Sequence, residues 1–405
     1  MKKLFKRLIW TIVFLLISIN VFIVVTGRTY LYKGIAYTYL SGKTGPTIYD
    51  LDKFPSARIT KSLAPFEWKL NKSFNQVKLT ESQEKYFENL ESKALLVCKN
   101  DELLYERYWD EHTSSTLSNS FSAAKTVVSL LVGIAIDQNK IKSLDDKVGD
   151  YLPVFKSNGK EKITIRHLLM MSSGLDWEES GKNPLSDNAA SYYGDNLYDL
   201  VMGQNAIEEP GKHFNYQSGN SQLLGYIVET ATGKSLNEYT QINIWDKIGT
   251  TEDAYWSLDR KEGDEKAFCC MYASPRDYAR LGKLISQFGN WKGKQIVSKK
   301  YIQEMFANPK METEFTKDNY QYGLHIWTYL GGNEPVYYCR GILGQYIISI
   351  PTKDIVIVRL GSKRGEKVVL DKSKDNSLEK QYKAGHPEDL FELISFSERV
   401  IKELK

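Results

Sequence analysis

Asn119-Ser120-Phe121-Ser122-Ala123-Ala124-Lys125-Thr126-Val127-Val128-Ser129-Leu130-Leu131-Val132-Gly133-Ile134-Ala135 decides how this chain is read. A Ser-x-x-Lys sequence stands there at the mouth of an almost wholly apolar helix. Residues three apart share a helix face, so the Ser122 hydroxyl and the Lys125 amine become neighbours. Val127, Val128, Leu130, Leu131, Val132 and Ile134 cover every side, which predicts a helix buried in the middle of a domain. Burial lowers an amine's pKa and makes Lys125 a proton acceptor for Ser122. Backbone N–H groups at a helix start also point at whatever binds to that serine. Acyl-enzyme chemistry needs this arrangement; a helix cap with a snorkelling lysine is the plainer reading.

Ser-x-x-Lys alone is a weak pattern, since it occurs at Ser82/Lys85, Ser122/Lys125, Ser157/Lys160 and Ser377/Lys380. The other three copies lie in charged or polar sequence, where a solvated serine and lysine are expected. Only the Ser122 copy opens a buried helix, a place where lysine is rare without a purpose.

The chain has 405 residues, 42% of them hydrophobic, ample for one large domain or two packed ones. Its net charge of +4 is spread along the sequence. With no basic stripe and no nucleic-acid motif, a nucleic-acid partner is not expected. Met1-Lys2-Lys3-Leu4-Phe5-Lys6-Arg7 is a basic leader, and Leu8 to Val25 is an 18-residue run without charge. That length nearly spans a bilayer, with the basic end cytoplasmic and the rest delivered to the far side. A cleaved signal peptide would carry a shorter apolar run and a small-x-small site, which Val24-Val25-Thr26-Gly27 matches poorly. Residues 1–27 are therefore expected as an uncleaved signal anchor at the cell membrane, with a secreted or periplasmic form as the alternative.

Cys98, Cys269, Cys270 and Cys339 show no CxxC spacing, and an adjacent pair does not easily bridge itself, so no disulfide is expected. The five histidines form no HExxH or similar cluster, and neither a metal nor a cofactor is predicted. Residues 28–75 are polar with scattered Gly, Pro and Tyr, and read as a spacer plus a segment draped on the domain. Ala94–Cys98 and Leu103–Tyr108 read as a hairpin turned at 99–102, and Tyr346–Ile350 with Ile355–Leu360 as another turned at 351–354. From about 137 to 256 the patterns are mostly helical. Strands at both ends with helices between predict an α+β domain over 76–405: an antiparallel sheet flanked by helices, with a large helical subdomain inserted.

Pro210-Gly211-Lys212-His213-Phe214-Asn215-Tyr216-Gln217-Ser218-Gly219-Asn220-Ser221 is a loop feeding a second apolar helix. Tyr216 and Ser218 alternate there and can face the same way, and a tyrosinate near a lysine ammonium can shuttle a proton. A turn tyrosine with a serine N-cap is the alternative. Gly341-Ile342-Leu343-Gly344-Gln345 opens the C-terminal hairpin, where glycines let backbone approach a ligand. An amide there can be the second donor to an oxyanion, with the Ser122 amide as the first. A plain turn is the alternative.

Together these stretches resemble the serine β-lactamase/penicillin-recognising superfamily in its class C-like branch. Leu144–Pro153, Ile163-Thr164-Ile165-Arg166-His167-Leu168-Leu169-Met170-Met171-Ser172-Ser173-Gly174-Leu175 and Ser274–Gly282 extend the likeness from about Leu95 to Gly361 in the family's order. The resemblance implies the β-lactamase/transpeptidase fold and an acyl-serine mechanism. Ser122 is then the nucleophile, Lys125 and Tyr216 manage its proton, and the amides of Ser122 and Ile342 hold the oxyanion. Ser218, Gly341, Gly344 and Gln345 are implied to line the substrate site, Ser218 standing where many relatives carry Asn. Relatives acting on β-lactams or peptidoglycan usually carry Lys/His-Thr/Ser-Gly at the third motif; Arg340-Gly341-Ile342-Leu343-Gly344-Gln345 does not. Its form is most similar to aminohexanoate-oligomer hydrolases and related esterases. The expectation is a membrane-anchored serine hydrolase cleaving a carboxylic ester or linear amide. A peptidoglycan D,D-peptidase or weak β-lactamase acting on a cell-wall-derived substrate is one alternative. A catalytically idle protein binding penicillin or cell-wall fragments is another.

Overall fold

The computed structural model describes residues 1–370 and 377–403. The strands of its two larger sheets run in the order β1 (Ser56–Ile59), β2 (Lys69–Leu70), β3 (Ser92–Lys99), β4 (Glu102–Tyr108), β5 (Ser118–Asn119), β6 (Ala254–Ser257), β7 (Met271–Ala273), β8 (Trp327–Tyr329), β9 (Val336–Gly341), β10 (Gln345–Ile350) and β11 (Ile355–Gly361). Among the described residues the main sheet has seven strands, ordered β8-β9-β10-β11-β3-β4-β2, with β2–β4 its parallel pair. A second sheet of four runs β1-β6-β7-β5 and ends just before the Ser122 turn.

Both expected hairpins are present, and their turns show why. Asn100 and Asp101 take φ of 47° and 67° between β3 and β4, the left-handed pair that a two-residue turn requires and Asn and Asp tolerate. Every residue of β11 is buried, and all but the two half-buried lysines of β3, so this centre reads as continuous apolar runs rather than alternation.

The helices that position the site are α1 (Lys2–Val25), α2 (Tyr30–Tyr37), α3 (Ala124–Asp137), α4 (Asp187–Tyr193), α5 (Ser218–Thr232), α6 (Pro275–Ser286) and α7 (Glu388–Glu403). Twelve of the 14 residues of α3 are buried, as its all-round apolar sequence requires. It packs against α5, whose first eleven residues are also buried. α6 begins at an N-cap, Ser274, with Pro275 at its first position, and lies across β10, β11 and β3. Through 137–256 helices, most of them short, alternate with loops, and the stretch closes on β6.

Much of residues 28–75 packs onto the domain. β1 pairs with β6 from Ser56↔Ser257 to Ile59↔Ala254, and α2 packs on α4. The polar sequence hid this because β1 is an edge strand with one buried side chain, Ile59. Lys160 also departs from expectation. Its amine is buried and donates to the carbonyls of Met202 (3.1 Å) and Gln204 (3.0 Å) rather than facing solvent. Among the described residues one helix, α1, is long and apolar enough for a membrane span or a signal sequence.

Candidate active site

The site begins with a strained turn. The Asn119 side chain, on β5, accepts from the Phe121 amide at 2.8 Å and donates to the Tyr272 hydroxyl at 3.1 Å. Phe121 is thereby held at φ +45°, a conformation unfavourable for a bulky residue. The chain turns sharply there, and Ser122 is left half-buried and facing a cleft while its neighbours Phe121 and Ala123 are buried.

One turn on, Lys125 is 1% exposed. Its Nζ lies 3.2 Å from Ser122 Oγ, 3.1 Å from Ser218 Oγ and 2.7 Å from the Phe268 carbonyl oxygen. Burial pushes the amine's pKa down to about 8, and the Glu179 carboxylate pulls the other way. Glu179 is anchored through both oxygens: Oε1 accepts from the Ser218 hydroxyl at 2.7 Å, and Oε2 from the Ser218 amide and Trp177 Nε1, each at 2.7 Å. Ser218, the first residue of α5, therefore joins Lys125 to Glu179.

Tyr216 stacks on Trp327 with ring centroids 5.8 Å apart, its ring centre 5.1 Å from Lys125 Nζ. Its hydroxyl interacts with Ser122, yet burial and then the Glu179 charge push its pKa upward. The expected tyrosinate is therefore replaced by a neutral phenol at neutral pH, because a second anion beside Glu179 in this dry setting is unfavourable.

β9 delivers the third element. A Cβ on Gly341 would lie 2.1 Å from the Ser120 carbonyl oxygen, so only glycine lets this strand end lie against the Ser122 turn. Ile342 follows and lines the cleft with Ser122. Gly344 and Gln345 turn inward. Gly344 sits at φ +83° against Arg359, and the buried Gln345 side chain donates to the carbonyls of Ile342 (3.0 Å) and Gly361 (2.8 Å). Both shape the Ile342 turn rather than face the cleft. Arg340 points elsewhere, its guanidinium over the Trp327 ring and donating to the Gly385 carbonyl at 2.9 Å.

The cleft over Ser122 holds about 240 Å³. Its far wall is α2 and the segment to Pro46, a placement that no local sequence signal marks. Glu179 was equally hidden, one acidic residue in a polar loop after Leu175 whose role comes only from the α5 start it faces. Cys269 and Cys270 form a disulfide, contrary to expectation. Cys270 takes φ +69°, which lets the chain fold back so that adjacent thiols meet, and Cys269 borders the cleft beside Phe268. Cys98 and Cys339 are buried and free.

The family model for Beta-lactamase matches residues 84–379. The chain belongs to the β-lactamase family. The 6-aminohexanoate-dimer hydrolase of Paenarthrobacter ureafaciens is 25% identical over 288 residues, covering 66% of this chain and 72% of that protein. Teichoic acid D-alanine hydrolase of Staphylococcus aureus (strain MRSA252) is 26% identical over 286 residues, covering 64% of this chain and 65% of that protein. Among solved structures, a family VIII carboxylesterase superposes with a TM-score of 0.61 at 18% identity, over 82% of this chain and 99% of that one. This β-lactamase-family chain thus has hydrolases as relatives, the acyl-serine mechanism is typical of the family, and the fold is the β-lactamase/transpeptidase-like one.

Proposed function

We propose that Ser122 is the nucleophile of a serine hydrolase acting on a carboxylic ester or linear amide, with Lys125 as its base. One observation carries this. A neutral Lys125 has two N–H groups and a lone pair, and two acceptors are fixed around it. The Phe268 carbonyl takes one N–H, and the Ser218 oxygen, whose own proton is directed to Glu179, takes the other. The lone pair is left for the Ser122 hydroxyl 3.2 Å away. With a pKa near 8, roughly 20% of the amine is neutral at pH 7.4, against roughly 0.1% for an ordinary lysine.

Ser122 Oγ attacks the substrate carbonyl and its proton passes to Lys125. The oxyanion is held by the amides of Ser122 and Ile342, and the Tyr216 phenol relays the proton to the departing alcohol or amine. Water then adds to the acyl-serine, Lys125 takes its proton, and the acid leaves as Ser122 is reprotonated. The missing Lys/His cation at the third motif, with Arg340 turned away under Gly385, favours substrates without the carboxylate that β-lactams carry. Kinship with amide- and ester-cleaving relatives supports the same class. The N-terminal helix, flanked by Lys2, Lys3, Lys6 and Arg7, is the anchor in this reading, with the catalytic domain outside the cytoplasm.

Intact mass of the detergent-solubilised protein, after a fluorophosphonate and separately after a penicillin, tests the reading. The expected result is a fluorophosphonate adduct, absent in Ser122→Ala, and no penicillin adduct. A lasting penicillin adduct on Ser122 would transfer the protein to cell-wall peptide chemistry. No adduct with either reagent would remove the activated serine.

A further inference from the structure

The wall of the cleft facing Ser122 is the segment that leaves the apolar N-terminal helix. α1 ends at Val25 and α2 starts at Tyr30, so at most roughly 18 Å of chain separates the edge of the span from the cleft wall. The junction is tied on both sides. Tyr32 donates to Asn20 of α1 at 2.7 Å, while Arg28 and Tyr30 donate to the carbonyls of Leu185 (3.2 Å) and Pro184 (3.1 Å) on the opposite lip. Around this mouth large apolar side chains are left in the open: Ile35 is 40% exposed, Tyr39 71%, Leu40 79% and Ile342 45%. Such a grouping on one rim marks an interaction surface rather than scattered exposure. Arg28 and Lys33 accompany it, and no acidic residue precedes Asp50, which pairs with Lys43 at 3.9 Å.

We propose that the cleft opens onto the bilayer surface and takes the ester or amide of an anionic amphiphile lying in the same leaflet. Resting on the hydrolase and anchor readings above, this assigns the rim a purpose. The amphiphile's hydrocarbon stays in the membrane and slides past Ile35 and Ile342, its anionic headgroup meets the cations after α1, and the scissile carbonyl reaches Ser122.

Full-length protein reconstituted in phosphatidylcholine vesicles tests this with two esters sharing one scissile bond. The p-nitrophenyl ester of N-glutaryl-phosphatidylethanolamine is the anchored substrate, and the p-nitrophenyl ester of N-methylglutaramic acid is the soluble one. Ser122→Ala vesicles supply the background. The expected result is turnover of the anchored ester at least tenfold faster in the enzyme's own vesicles than in separate ones, falling below threefold in Ile35→Glu. Because co-localisation alone speeds any anchored enzyme, an undiminished ratio in Ile35→Glu would overturn the proposal. Equal rates in the two vesicle arrangements, with the soluble ester still cleaved, would overturn it too. No Ser122-dependent turnover of the soluble ester would remove the hydrolase reading and this inference with it.

Discussion

Lys125 and Glu179 meet through a single hydroxyl: Ser218 Oγ accepts from Lys125 Nζ at 3.1 Å and donates to Glu179 Oε1 at 2.7 Å. The carboxylate fixes where the Ser218 proton goes, and that in turn fixes where the Lys125 lone pair points.

Ser218→Ala removes the acceptor that orients the amine while leaving Ser122, Lys125 and Tyr216 in place. Steady-state kinetics on an ester substrate should show kcat lowered about 10- to 100-fold, with a smaller change in KM. Glu179→Ala should do the same without touching the substrate's acyl group. A Ser218→Ala enzyme with wild-type kcat would show that the lone pair needs no such guide.

The parts of this site that the sequence disclosed are those with a local signature. Ser122 and Lys125 share a helix turn within an apolar run, and Tyr216 and Ser218 alternate on a loop entering α5. Both hairpins were legible because apolar-rich runs flank turn residues. What was hidden is whatever depends on distant backbone. The Phe268 carbonyl that holds Lys125 carries no side-chain signal at all. Glu179 becomes functional only because the Trp177 loop folds over the start of α5. The wall formed by α2 looked like linker because the contacts that hold it, such as Gly34 against the Tyr193 ring, join positions far apart in sequence. Adjacent cysteines read as unpaired until the left-handed backbone at Cys270 is known.

The Glu179 charge holds the Lys125 pKa up, against a stronger burial effect that pushes it down to about 8. In the proposed mechanism Lys125 acts in its neutral form, so kcat/KM should rise with pH along a limb centred near that value. In Glu179→Gln the amide still accepts from the Ser218 amide, but the opposing charge is gone and burial acts alone. The limb should therefore move to lower pH, even where the plateau rate is reduced. A pH–rate profile decides this, and a shift to higher pH would refute the assigned coupling.

The disulfide predicts a labelling pattern. Denatured without reductant, the protein should take up iodoacetamide at Cys98 and Cys339 only, and at all four cysteines after reduction. A tryptic peptide holding unlabelled Cys269 and Cys270, 2 Da lighter than its reduced form, is the direct readout. Since Cys269 follows the carbonyl that holds Lys125, reduction of the folded enzyme should also lower kcat. Labelling of four thiols before reduction would refute the bridge.

Lys125 also leaves a mark on stability, separable from its role in turnover. Its folded-state value of about 8 lies below the ordinary 10.5, so between those pH values the unfolded chain binds more protons than the folded one. Stability from this group therefore rises with pH across that window, and below pH 8 the full penalty of burying the charge is present. The gap corresponds to about 3 kcal/mol, at about 1.36 kcal/mol per pH unit. Lys125→Met keeps much of the side-chain volume and removes the titration, at the expense of the hydrogen bonds to Phe268 and Ser218. Those losses hardly vary with pH, whereas the relieved penalty does. The stability of Lys125→Met relative to wild type should be greatest at pH 8 and below, and should fall by up to about 3 kcal/mol on going to pH 10.5. Urea unfolding of Lys125→Met and wild type at pH 7, 9 and 10.5 measures this difference directly. A difference that stays flat would mean that the amine is solvated in the folded protein, and the base assignment would fall with it.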